Sequence, residues 1–302
     1  SKGEVYEHIY GLTTSQRVYG TVRENQLGHG PCYLQTSGIT SEQDQDLLKA
    51  YLNMAPSQTL KWIESGKMPG EQDVEIQGTE PYIVGGHTAS GFWVDTKRET
   101  TIHGLYAAGD VAGGCPQKYV TGALAEGKIA SLAIIEQLKA ASAEQTSTIE
   151  DQAQAVLNDY KKIRSTQNGL FTIDDLEEAM QKVMDEYAGG IASNYQFNEK
   201  QLKLAEEKIA RLSELAEQIG AEDMHELLFA YELKERLLVC RVLIEHLKNR
   251  KETRWHSFNE NLDHPETDEK FEKYVNSRME DGKLHILFRD LVKGDTYEHT
   301  NS

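Results

Sequence analysis

The sequence predicts an α/β region followed by an all-helical one, and three observations carry that prediction. Between residues 79 and 128, three short apolar runs bounded by glycines and charged turns lead into a helix opened by small residues. From about residue 150 to residue 249, apolar side chains recur at threes and fours. Near the end, Asp281-Gly282 separates two apolar runs in the manner of a two-residue hairpin.

Taken in order, residues 1–40 mix short apolar runs with Gly and Thr and close on Gly30-Pro31-Cys32-Tyr33-Leu34. Residues 41–66 read as helical, with Leu47, Leu48, Tyr51, Leu52 and Met54 on one apolar face. Leu60, Trp62 and Ile63 form a second, after Pro56-Ser57 as a start signal, and both faces are expected to pack into a core. Pro81–Val84 is a first β run that stops at Gly85-Gly86, and Phe92–Val94 is a second. A charged hairpin-like loop, 95–100, leads to a third run, Leu105–Ala107, that ends at Gly109-Asp110. Thr121 to about Ala140 is a helix, with Thr121 or its predecessor as cap. After a polar stretch the chain stays helical, with a start at Thr172–Asp175, a stop at Gly189-Gly190, a helix from Asn198 to about Ile219 and another from Met224 to Leu247. The stripes Ala205, Ile209, Leu212, Ala216, Ile219 and Leu227, Leu228, Tyr231, Leu238, Val242, Leu247 are read as packing faces of a small bundle. Val275–Met279 and Leu284–Phe288 flank the Asp281-Gly282 turn.

Composition narrows the partners. In 302 residues, 49 Asp+Glu stand against 32 Lys+Arg, a net charge of −17, which argues against nonspecific nucleic-acid binding and against charge-driven docking on an anionic membrane. The three cysteines, Cys32, Cys115 and Cys240, lie far apart, so neither a disulfide framework nor an iron–sulfur cluster is expected, and a reducing cytoplasm is. No apolar run approaches the roughly 20 residues of a membrane span. The opening Ser-Lys-Gly-Glu-Val has no signal-peptide character.

Thr100-x-x-x-Gly104-Leu105-Tyr106-Ala107-Ala108-Gly109-Asp110 resembles the second flavin signature of FAD-dependent enzymes with a two-dinucleotide-type fold. The His87 turn together with Gly122-Ala123-Leu124-Ala125-Glu126 narrows the resemblance to the fumarate reductase/succinate dehydrogenase flavoprotein superfamily. Within it, Glu80-Pro81-Tyr82, Gly85-Gly86-His87, Gly91-Phe92-Trp93 and Lys118-Tyr119 resemble the adenylylsulfate reductase α-subunit group. The likeness is specific from about residue 10 to 135. A flavoenzyme of this kind opens with G-x-G-x-x-G against a helix N-terminus. That pattern is absent, so the sequence reads as the C-terminal half of such a protein, completed by an N-terminal FAD-binding half. The implied domains are 1–78, the end of the capping domain; 79–140, the end of the FAD-binding domain; 141–249, the helical bundle; and 250–302, a tail with a hairpin.

The resemblance also assigns residues. Arg17 stands fourteen residues before Pro31, as does an active-site arginine of the group; otherwise it is a solvated surface arginine. A guanidinium offers a planar fork to phosphate, sulfate or carboxylate. His87 is implied near the flavin ring and the substrate, where an imidazole can donate to an oxyanion or move a proton near pH 7. Lys118 replaces the arginine that clamps a dicarboxylate in fumarate reductases, an exchange that loses two parallel hydrogen bonds and counts against fumarate. Tyr119 matches an aromatic on the adenine side of the substrate, or else is a core tyrosine. Asp110, after Gly109, is implied to accept from the ribityl chain of FAD, or else caps a turn. Gly122, Ala123 and Leu124 are implied to bring the helix tip to the isoalloxazine. Arg254 is read as a structural salt bridge.

The function so implied is reduction of adenosine 5′-phosphosulfate to AMP and sulfite at flavin N5, with a small anionic substrate and electrons from a separate iron–sulfur subunit. The alternatives are a flavoprotein of the fumarate reductase, succinate dehydrogenase or L-aspartate oxidase type, and an inactive flavoprotein fragment acting as an interaction module.

Overall fold

The computed structural model describes residues 14–76, 90–114, 120–140, 148–167, 170–254 and 259–291. The chain divides into two compact units, Ser1–Glu80 and Pro81–Ser302.

In the first unit, helix α1 (Thr14–Gln26) precedes strand β1 (Cys32–Leu34), which pairs antiparallel with β2 (Val74–Ile76). The sequence pattern does not predict α1, because Gly20 and the β-branched Val18, Thr21 and Val22 are poor helix formers. Helix α2 (Ser41–Met54) starts at a reciprocal capping box: the Gln43 amide donates to Thr40 Oγ1, and the Thr40 amide donates to Gln43 Oε1. Helix α3 (Pro56–Ser65) has proline in its first turn and ends at Gly66 in the left-handed conformation. Asp73 accepts from the amides of Ser37 and Thr36, which holds its carboxyl below the ordinary range. Trp62 is buried and packs on Tyr51 at 5.1 Å, but Leu52, Leu60 and Ile63 are exposed. Leu47 and Leu48 are half-buried like Tyr51, so the expectation of two core faces is met in part.

In the second unit, helices α4 (Val120–Ala140), α5 (Thr148–Ser165), α6 (Ile173–Tyr187), α7 (Glu199–Ala216) and α8 (Met224–Asn249) follow a region of turns, 90–114. The sequence expects strands in this region. Among the described residues Phe92–Val94 and Leu105–Ala107 form only isolated bridges, Phe92 to Ala112, Val94 to Thr100 and Glu99 to Tyr106. The runs are three residues long, and the tight turns between them leave no room for a longer ladder. The Pro81–Val84 run lies outside the described residues.

The bundle core is continuous through α5, α6, α7 and α8: Ile163, Leu176, Met180, Leu202, Ile209, Leu233, Leu237 and Ile244 are all buried in it. Its helices begin where the sequence signals them. Thr172 and Asp175 form a capping box at α6, and hydrogen bonds from Thr172 hold Asp175 below the ordinary carboxyl range. Asn198 caps α7 and Asp223 caps α8. The α7 stripe is buried throughout, but on α8 only Leu227 and Leu247 of the expected stripe are buried; Leu228 and Leu238 face solvent, and Leu233, Leu237 and Ile244 complete the core. Helix α8 carries apolar residues around most of its circumference, so periodicity alone could not choose between its faces.

The tail stitches back onto this bundle. Strand β3 (Gln196–Phe197) pairs parallel with β4 (Glu260–Asn261), the Asp263 carboxylate accepts from the Glu199 amide, and the Asn259 side-chain amide donates to Gly189 O. Strands β5 (Lys273–Glu280) and β6 (Lys283–Asp290) pair antiparallel in full register around Asp281 (φ 48°) and Gly282 (φ 74°), the two-residue turn that the sequence predicts. Arg254 makes the structural ion pair expected of it. Its Nε and Nη2 donate to the two oxygens of Glu252 at 2.9 Å each, and Arg250 binds the same carboxylate. Burial pushes the Glu252 carboxyl up, but bonds from Arg254, the Asp268 amide and Arg250 outweigh it and leave it below the ordinary value.

Candidate functional site

The site is built from the turn region 90–114 laid along α4. Asp95 opens the first turn: its Oδ1 accepts from the amides of Lys97 and Glu99, and the chain reverses at Arg98 with φ 71°. Thr100 N donates to Leu105 O across the second turn, and Ala107 N returns to Arg98 O. The chain then enters a single 3-10 turn, Gly109–Val111.

Gly109 is the closest approach of this turn to α4. It has φ 75°, and a Cβ there would lie 3.2 Å from the Ala123 Cβ, so glycine is what lets the tip rest on the first turn of the helix. Its amide donates to Glu126 Oε2 at 3.0 Å. Glu126 is only 5 % exposed, and its other oxygen lies 3.1 Å from Arg98 Nε, an ion pair without good hydrogen-bond alignment. One buried carboxylate thus fixes both the backbone at Gly109 and the loop at Arg98. Farther along α4, Tyr106 donates to Gln137 Oε1 at 2.9 Å. Sequence reading quotes Glu126 as part of a motif but gives it no role; its partners lie 17 and 28 positions upstream, and no local pattern joins them.

The structure therefore brings Gly109, Asp110 and Ala123 together, with Gly122 and Leu124 on either side of Ala123 in the same helical turn. Asp110 is exposed at the tip, and Val120 and Leu124 are exposed at 75 % and 70 %. Arg17 falls in α1 of the other unit. His87, Lys118 and Tyr119 lie outside the described residues. Among the described residues no helix is long and apolar enough to cross a membrane.

This chain is homologous to FAD-dependent flavoproteins. Specifically, it is homologous to the adenylylsulfate reductase subunit alpha of Megalodesulfovibrio gigas, at 28% identity over 328 residues, covering 93% of this chain and 49% of that protein. An uncharacterized FAD-dependent oxidoreductase of Methanocaldococcus jannaschii is 27% identical over 266 residues, covering 85% of this chain and 44% of that protein. The structure matches adenylylsulfate reductase from the hyperthermophilic Archaeoglobus fulgidus with a TM-score of 0.78 and 26% identity, over 98% of this chain and 53% of that one. It also has the fold of the corresponding part of E. coli quinol fumarate reductase, with a TM-score of 0.75 and 19% identity, over 93% of this chain and 49% of that one. The chain spans about half the length of the relatives it matches. No protein-family model matches it.

Proposed function

We propose that this chain is the substrate- and flavin-facing half of an FAD-dependent oxidoreductase of the adenylylsulfate reductase type, acting on adenosine 5′-phosphosulfate. The observation that carries the reading is the seat of Gly109 on Ala123, locked by buried Glu126, in a chain homologous over most of its length to adenylylsulfate reductase α. The residues fit a flat, ring-bearing cofactor: the missing Cβ at Gly109 lets the tip rest on the helix start, and exposed Val120 and Leu124 leave an apolar patch beside it. FAD, when bound, supplies the two-electron chemistry.

The chain's own residues would do the following. Asp110 accepts a hydrogen bond from a ribityl hydroxyl. The backbone at Gly122, Ala123 and Leu124 turns the positive end of the α4 dipole toward the ring, favouring negative charge there by about 0.3–1 kcal/mol, and more where water is excluded. Arg17, His87 and Lys118 hold the sulfate and phosphate groups of the substrate, with His87 able to exchange a proton near neutral pH. Tyr119 packs on the adenine. Electrons arrive from a separate iron–sulfur protein, and no nucleic acid takes part.

The test is an assay of the FAD-loaded, full-length protein with adenosine 5′-phosphosulfate and, separately, with fumarate. AMP and sulfite release, lost in Arg17→Ala while flavin stays bound, supports the reading. Turnover of fumarate alone overturns the substrate, and undiminished turnover in Arg17→Ala removes Arg17 from the site.

A further inference from the structure

The C-terminal hairpin meets the turn region at Arg289. Arg289 on β6 lays its guanidinium over the Trp93 ring, 3.6 Å from the centroid. It does so from a prepared position, because its Nε donates to Asn276 Oδ1 at 2.7 Å and Tyr274, its partner across the ladder, lies beneath it at 5.1 Å. A guanidinium is planar, stacks on aromatic faces and is weakly hydrated, and a lysine cannot reproduce that arrangement.

Trp93 belongs to a segment that is itself fixed to the tip of the candidate site. Phe92 N donates to Val111 O at 2.7 Å, and Gly113 N donates to Phe92 O at 2.8 Å. Gly91 fits so tightly here that a Cβ would stand 2.6 Å from both Gly113 N and Val111 O. Segment 91–94 is thus clamped between the Gly109–Gly113 tip on one side and Arg289 on the other. Along the chain it begins four residues after His87.

We propose that Arg289 is a positioning residue, which by stacking on Trp93 holds the 91–94 segment against the Gly109–Gly113 tip and so couples the C-terminal hairpin to the candidate site. The coupling itself stands on the contacts above; its effect on turnover rests on the function proposed in the preceding subsection.

Hydrogen exchange tests the coupling without activity. In Arg289→Ala, the Phe92 and Gly113 amides are expected to exchange three- to tenfold faster, the range that a partly dried cation–π contact supports, while the β5–β6 amides stay protected. Arg289→Lys is expected to recover only part of the protection. Trp93→Leu should match Arg289→Ala, and the double variant should be no worse than either single one, because both remove one contact. Unchanged exchange in Arg289→Ala, or effects that add in the double variant, overturns the proposal. Should Arg289→Ala unfold the hairpin, Trp93→Leu alone decides, since it leaves the ladder and the Asn276 bond in place. In the FAD-loaded, full-length protein, Arg289→Ala is expected to lower kcat severalfold with flavin content unchanged. An inactive wild type refutes the proposed function and leaves the exchange result standing, whereas an active wild type with a kcat matched by Arg289→Ala refutes the positioning role.

Discussion

The helical bundle and the α4 region solve burial in opposite ways. The bundle puts Leu202, Ile209, Leu233 and Ile244 out of water and closes over them with caps and a tail. Helix α4 is as apolar as the bundle helices, yet it buries mainly alanines (Ala130, Ala133) and Glu126, and leaves Leu132 and Leu138 exposed at 55 % and 69 %. Hydrophobic content alone does not make a core. The first region carries its stability in packing, the second in a few polar locks around Glu126.

The contrast can be broken most sharply at Glu252. Truncation to Ala leaves Arg250 and Arg254 facing a void in the buried knot and is expected to cost about 3–5 kcal/mol in urea unfolding. Close behind comes Ile209→Ala, for which the loss of a fully buried side chain predicts about 2–5 kcal/mol. In the α4 region, Gly109→Ala meets both the Ala123 Cβ and a left-handed backbone. An expected loss of about 1–2 kcal/mol should appear as faster exchange around residues 107–112 rather than as global unfolding. Leu132→Ala, by contrast, is expected to stay within about 0.5 kcal/mol of the parent chain. A large effect there would erase the distinction between the two regions.

Acidification sharpens the same contrast through two groups beside the bundle. His246 has its pKa lowered from 6.5, first by burial and then by Arg250, and it hydrogen-bonds Ser277 at 3.0 Å. Because the unfolded chain then binds the extra proton, stability is expected to fall as the pH drops through 6.5 and below. Glu252, with its folded pKa depressed, adds a contribution that is present above the ordinary carboxylate range and lost as pH falls through the folded value. Thermal midpoints measured from pH 8 to pH 2 check both, and a His246→Gln variant should flatten the first step.

Much of this was readable in the sequence because the signals were local. Thr172, Asn198 and the Asp281-Gly282 turn each act within three residues of themselves, and each appears where its chemistry predicts. The Arg254 pair with Glu252 was equally short-range. What escaped was non-local or degenerate: the 32–34 strand finding its partner at 74–76, helix α1 forming against its propensities, and the Leu233, Leu237 and Ile244 part of the buried face of α8. In the site, the resemblance selected Gly109, Asp110 and the 122–124 helix turn, but the carboxylate that fastens them, Glu126, is visible only when Arg98 and Gly109 are folded onto it.

The tail's return to the bundle has a consequence for biosynthesis. Helix α7 receives the Asp263 carboxylate at its opening amide, and the loop ahead of it is held by Asn259. Those partners are translated 64 and 70 residues after the groups they satisfy. The bundle therefore reaches its final form on the ribosome only after residue 263 has cleared the exit tunnel, and until then the start of α7 must rely on Asn198 alone among these caps.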